Sequence, residues 1–135
     1  MNNKLLKNIA RIVFCAALFF AFGAATTFAQ KGTSIVKRVT FAKGKSFAVL
    51  SGTVRRGVSN DFLVTARAGQ DASFYLEAGE GVTFTLMSPD GEALADFETS
   101  WMGALPAGGT YRINVLPDTT TSRAKSYRLT IRITH

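Results

Sequence analysis

Past its first 29 residues, the chain alternates apolar and polar positions with a period of two. Tyr127, Leu129, Ile131 and Ile133 alternate with Arg128, Thr130, Arg132 and Thr134. Such a run predicts a strand with one buried and one wet face. Shorter runs of the same kind are Val82-Phe84-Leu86, Tyr111-Ile113-Val115 and Phe62-Val64-Ala66. Phe74 and Leu76 flank Tyr75, and Val39 and Phe41 flank Thr40, which predicts two more strands. Ser46 to Val54 is apolar enough to predict a central strand. Turn formers separate the runs: Lys43-Gly44-Lys45, Arg56-Gly57, Ala68-Gly69-Gln70, Gly79-Glu80-Gly81, Ser88-Pro89-Asp90-Gly91 and Pro106-Ala107-Gly108-Gly109. In the fifth of these, Pro presets one turn torsion and Gly accepts a positive φ, as a hairpin needs. No window in this region has the 3.6-residue period of an amphipathic helix. The pattern predicts an all-β fold: a single antiparallel β-sandwich of about eight strands, with a small barrel as the alternative.

The first 29 residues read differently. Lys4, Lys7 and Arg11 precede an apolar stretch from Ile12 to about Gly23. It runs for roughly 12 residues, short of the ~20 that a bilayer span requires. Thr27-Phe28-Ala29 then places small side chains where a signal peptidase reads them, which predicts cleavage after Ala29, with Ala25 as a second choice. An uncleaved anchor is the competing reading. The expected organisation is a signal peptide over 1–29 and a β-sandwich domain over 30–135. No membrane span follows cleavage, and the destination is the periplasm or the exterior. Cys15 sits inside the apolar stretch after Phe14 rather than after a small residue, so it is no lipoprotein anchor and leaves with the signal.

Composition narrows the chemistry. One Cys and one His in 135 residues exclude a four-ligand zinc site and a disulfide framework. Of 16 basic residues, Lys4, Lys7 and Arg11 belong to the signal, leaving 13 against 9 acidic residues and a net charge of +4 on the mature part. That is no nucleic-acid footprint. The charge is also sorted. Residues 68–111 hold seven acids and no Lys or Arg, whereas the segments on either side are basic. Folded together, those segments would make a basic side and an acidic side, able to steer a charged partner.

No motif carries an enzyme's machinery. Gly44-Lys45-Ser46 resembles the end of a phosphate-binding loop, but Val39 stands where the first glycine belongs and a strand follows in place of a helix, so a turn is expected. The only His is His135, the last residue, and no Gly-x-Ser-x-Gly is present. The carboxylate pairs Glu77/Glu80, Asp90/Glu92 and Asp96/Glu98 read as solvated turns; the last could at most make a weak calcium patch if extended. A non-enzyme without cofactor or metal is expected. Trp101 is expected to close one end of the core, the competing reading being a sugar-stacking platform. Tyr111, entering a strand after a Pro/Gly corner, is expected to tie its hydroxyl to the upstream backbone. The longest polar connection is Pro117 to Ser126, with Asp118, Arg123 and Lys125. An arginine there suits the carboxylates of an acidic cleft.

One frame runs through Val39-x-Phe41-x-x-Gly44-x-Ser46, Gly52-x-Val54-x-x-Gly57, Ala66-x-Ala68-Gly69-Gln70 and Ser88-Pro89-Asp90-Gly91. It continues in Trp101-x-Gly103-x-Leu105-Pro106-x-x-Gly109-x-Tyr111-x-Ile113-x-Val115 and Tyr127-x-Leu129-x-Ile131-x-Ile133. Over residues 36–133 this frame resembles a secreted bacterial β-sandwich family related to pre-peptidase C-terminal domains. Within that family it is similar to the periplasmic inhibitors of goose-type lysozyme. The resemblance implies a loop before the last strand that enters the enzyme's cleft through arginines, helped by an aromatic residue on a neighbouring loop. Arg123 matches one arginine position and Lys125 follows it. No arginine lies between Asp118 and Thr120, and Val58 stands near the aromatic position. Arg55 and Arg56, on a turn, complete the expected partner-binding set of Arg123, Lys125, Arg55 and Arg56. The alternative implied by the wider family is a module that binds envelope polysaccharide or another envelope protein, with no lysozyme target.

Overall fold

A computed structural model describes residues 32–120 and 122–135. The expected signal peptide, with Cys15 and both cleavage positions, lies outside the described residues, as does Thr121 of the long polar connection. Nine strands follow in order: β1 (Thr33–Arg38), β2 (Phe47–Val54), β3 (Val58–Ala66), β4 (Asp71–Ala78), β5 (Val82–Met87), β6 (Ala93–Glu98), β7 (Ser100–Ala104), β8 (Gly109–Pro117) and β9 (Lys125–Thr134). They form a five-stranded sheet, β1-β3-β8-β5-β6, and a four-stranded sheet, β2-β9-β4-β7. The all-β sandwich read from the alternation is therefore the fold. Pairing is antiparallel except between β1 and β3, which run parallel.

The alternating residues are the core. Phe62, Val64, Phe74, Phe84, Leu86, Tyr111, Ile113, Val115, Leu129 and Ile131 face inward, each almost fully buried. Ser88-Pro89-Asp90-Gly91 makes the β5–β6 turn as expected. Gly91 has φ 85° and donates to the Ser88 carbonyl at 3.0 Å, while the Ser88 hydroxyl accepts from the Glu92 amide at 3.1 Å. Tyr111 makes the expected corner: its hydroxyl donates to the Ala107 carbonyl at 2.6 Å and accepts from the Ala107 amide at 3.1 Å. Trp101 is half-buried with its ring 5.9 Å from that of Phe74, so it packs on the rim of the core.

Three expectations are corrected. The strand centred on Thr40 is absent. Val39 and Phe41 still turn toward the core, but in the connection that crosses from one sheet to the other. The ladder is made instead by β1 just before it, whose side chains are all exposed, so alternation could not mark it. Next, β2 is an edge strand rather than a central one. Its second face, with Phe47 and Val49, is open to solvent despite being apolar. Third, Asp96 and Glu98 do not line up as an extended pair, because Phe97 between them has φ 55° and breaks the alternation. Both are exposed, and among the described residues no three His, Cys, Asp or Glu side chains gather as metal ligands.

The basic segments build β1, β2, β3 and β9, and the acidic segment builds β4, β5, β6 and β7. The charged side chains themselves do not form two flanks: β2, β5 and β7 carry none and β3 only Asp61, so most of the basic residues near β2 and β3 lie in the connections, while β9 with Arg128 pairs with β4 and its Glu77.

Candidate functional site

Three connections meet at one end of the sandwich: the β2–β3 turn, the β4–β5 turn and the β8–β9 loop. The registers Val54↔Lys125, Ala78↔Tyr127 and Val82↔Pro117 bring them together. The β2–β3 turn is tight. Val58 N–H donates to the Arg55 carbonyl at 2.8 Å, and Gly57 takes φ 77°, which leaves Arg56 at the tip. The β8–β9 loop is pinned at its start. The Asp118 amide donates to the Gly81 carbonyl at 2.6 Å, and the Asp118 carboxylate accepts from the Thr120 amide at 3.1 Å and its hydroxyl at 2.9 Å. A side chain closing such a local ring holds a turn where no backbone ladder can.

The stretch from Pro117 to Thr120 divides two grooves. One, of about 310 Å³, has Arg56 and Gly57 on its far wall and Ser59 and Asn114 among its lining. The other, of about 320 Å³, holds Arg123 and Lys125 beside Glu80, Asp118 and Ser122. All four expected partner-binding residues thus stand at this end. Arg55, Arg56 and Arg123 are exposed, and among the described residues none has a carboxylate within ion-pair distance. Lys125 differs from its expected place in the loop: it is the first residue of β9, half-buried and paired with Val54. Its ammonium therefore projects from a fixed backbone. Val58 opens β3, half-buried and paired with Thr33, and carries no aromatic ring to the loop end.

The platform beneath is braced by a buried polar bond. Asn60 Nδ2 donates to the Tyr127 hydroxyl at 2.6 Å and to the Thr53 carbonyl at 3.3 Å. Burial raises the Tyr127 phenol above its usual pKa, and the Asn60 bond offsets part of that rise. Gly52 makes the bond possible. A Cβ there would lie 2.5 Å from the Tyr127 hydroxyl oxygen and 3.0 Å from Asn60 Nδ2. Beside it on the outer face of the five-stranded sheet, the buried Asp61 accepts from Asn114 and lies 3.9 Å from the Arg112 guanidinium. Reading the sequence missed Glu80 and Asp61 as neighbours of this region. Their partners are far along the chain and meet only through strand order.

The architecture defines the class. The chain is a β-sandwich similar in fold to the pre-peptidase C-terminal domain of collagenase from Bacillus anthracis, with 11% identity over 74% of this chain and 95% of that one, and a TM-score of 0.52. Within that class it is similar to the periplasmic inhibitors of g-type (goose-type) lysozyme. The structure from Aeromonas hydrophila matches with 25% identity, 74% of this chain, 96% of that chain and a TM-score of 0.69. The one from Salmonella Typhimurium matches with 26% identity, 75% of this chain, 99% of that chain and a TM-score of 0.62. No family model and no curated protein sequence matches the chain.

Proposed function

We propose that this chain is an exported, non-enzymatic binding protein that inhibits a goose-type lysozyme. The loop between β8 and β9 enters the enzyme's cleft, and the Arg123 guanidinium pairs with carboxylates there. Its planar fork of donors suits that task. Arg56, across the loop from Arg123, supplies the second guanidinium, while Arg55 and Lys125 add positive potential around both. The observation that carries the reading is the likeness to solved inhibitors of that enzyme over nearly their whole length. The periplasmic location of those inhibitors and the pattern of residues 1–29 support export. The test is inhibition of a goose-type lysozyme by the purified protein, with a chicken-type lysozyme as control. Selective inhibition is expected, weakened about tenfold or more by Arg123→Ala, in the range of an interface anchor. Absence of inhibition by folded protein at micromolar concentration overturns the reading.

A second reading, a module that binds envelope polysaccharide, is favoured by one observation. Tyr75 is 53% exposed on the outer face of the four-stranded sheet, in the same cross-strand row as Val49. The Arg132 guanidinium lies 5.6 Å from the centre of the Phe47 ring on that face. Binding of soluble glycans by the wild type and not by Tyr75→Ala would support this reading over the first.

A further inference from the structure

The end of the sandwich opposite the Arg123 loop holds a second cavity, of about 590 Å³, which the lysozyme reading does not use. That volume is in the range of small-molecule sites. Three separate pieces of chain build it: the β1–β2 connection, the β3–β4 turn and the end of β9. Its floor is apolar. Ala66 and Ile133, at 7% exposure, are with Val39 the most open members of the core, and Phe41 stands half-buried beside them.

Two cations stand in the walls. Lys45 and Arg67 line the cavity from different connections, with the His135 imidazole at a third side, and no Asp or Glu side chain among the described residues lines it. The ion pairs among the described residues use Arg112 and Arg128, so Lys45 and Arg67 meet no carboxylate. Both are held by ordered backbone. Gly44, at φ 75°, lets the chain turn so that the Lys45 amide donates to the Ala42 carbonyl at 2.9 Å. The Arg67 amide donates to the Gln70 side chain at 2.7 Å, which fixes the β3–β4 turn. The Gly44-Lys45-Ser46 segment, which fails as a nucleotide loop, thus still presents its lysine to a concave site. Two unpaired cations over an apolar floor ask for an anionic group on an apolar body.

We propose that this cavity binds a small amphipathic anion, with a carboxylate or phosphate group between Lys45 and Arg67 and an apolar chain or ring on Phe41, Ala66 and Ile133. The site is independent of the Arg123 loop. Calorimetric titration of the purified protein with octanoate and octyl phosphate tests it, with octanol, octyltrimethylammonium and inorganic phosphate as comparisons. Both amphipathic anions are expected to bind about tenfold or more tightly than octanol or inorganic phosphate, and the cation is expected not to bind. Lys45→Gln with Arg67→Gln, both at exposed positions, should weaken anion binding about tenfold. Arg123→Ala should leave it unchanged. Equal binding of octanol and octanoate, or binding that the double variant does not weaken, overturns the assignment of Lys45 and Arg67. Inorganic phosphate binding as tightly as octyl phosphate overturns the apolar floor, and no binding of either amphipathic anion at millimolar concentration overturns the site.

Discussion

Two tyrosine hydroxyls, both inside the sandwich, do different work. Tyr111 closes a four-residue corner, and its partner is near in sequence. A Pro/Gly corner followed by an aromatic at a strand entrance is a local signal, so this bond was legible before the fold was known. Tyr111→Phe keeps the ring and removes the bond, leaving the Ala107 amide and carbonyl without it. It is expected to cost about 1–3 kcal/mol, read by urea unfolding near neutral pH. Tyr127 was legible only as a core residue. Its partner Asn60 lies 67 positions away; the alternation of β3 puts that asparagine on the face of Phe62 and Val64 but does not say which residue it meets. Burial holds the folded-state pKa of Tyr127 above its unfolded value. The folded state therefore keeps a proton that the unfolded chain gives up. This contribution is fully present below about pH 10 and is lost as pH rises from there toward the folded pKa. Tyr127→Phe is expected to flatten the loss of stability above about pH 10, measured as denaturation midpoints in a pH series.

At the scale of elements, the alternation reports burial, and strands are defined by hydrogen bonds. Where the two coincide, as in β5, β8 and β9, the residues and the strand agree. They part in β1, which is paired but wholly exposed, and in the stretch after it, which is partly buried but keeps one backbone bond to β3, from the Val39 amide to the Leu63 carbonyl. They part again in β2, whose apolar outer face disguised an edge as a centre. In β2 the informative residue is Gly52, which alone allows the Tyr127 hydroxyl to lie against the strand. Gly52→Ala is expected to destabilise by about 1–3 kcal/mol through overpacking. Gly52→Ala combined with Tyr127→Phe should cost somewhat less than the sum of the single changes, because Phe removes the nearer of the two tyrosine atoms that the new methyl meets, the hydroxyl oxygen at 2.5 Å, while the ring carbon Cζ at 2.7 Å remains. A double-mutant cycle in urea measures that coupling. The candidate site was legible to the same degree: Arg55, Arg56, Arg123 and Lys125 were visible as residues. Their meeting at one end, and the presence of Glu80 beside Arg123, depend on which strands pair.

For the molecule as a whole, the basic residues of the first segment sit mostly in connections rather than in β2 or β3, and Arg55, Arg56, Arg123 and Lys125 stand together at one end of the sandwich. Charge placed at one end makes approach to a charged partner directional. If an acidic cleft is the target, Arg55→Glu with Arg56→Glu should slow association about tenfold at low ionic strength and change dissociation less. The difference should shrink in high salt as the field is screened. Stopped-flow association at two salt concentrations reads this directly.

The strand order has a further consequence, for how the domain comes into being. Every connection except β5–β6 passes from one sheet to the other, so almost no strand pairs with its neighbour in the chain. A growing or truncated chain that lacks β9 leaves β2 and β4 with no strand between them. It also removes Leu129 and Ile131 from the core. Partial structures therefore gain little, and loops must close before contacts reward them. The β5–β6 hairpin is the one local nucleus. Such a chain folds late and all at once, in milliseconds to seconds rather than microseconds, as sandwich topologies do. Most of the pairing in the four-stranded sheet and much of the core are therefore gained in one step, when the last strand docks between β2 and β4.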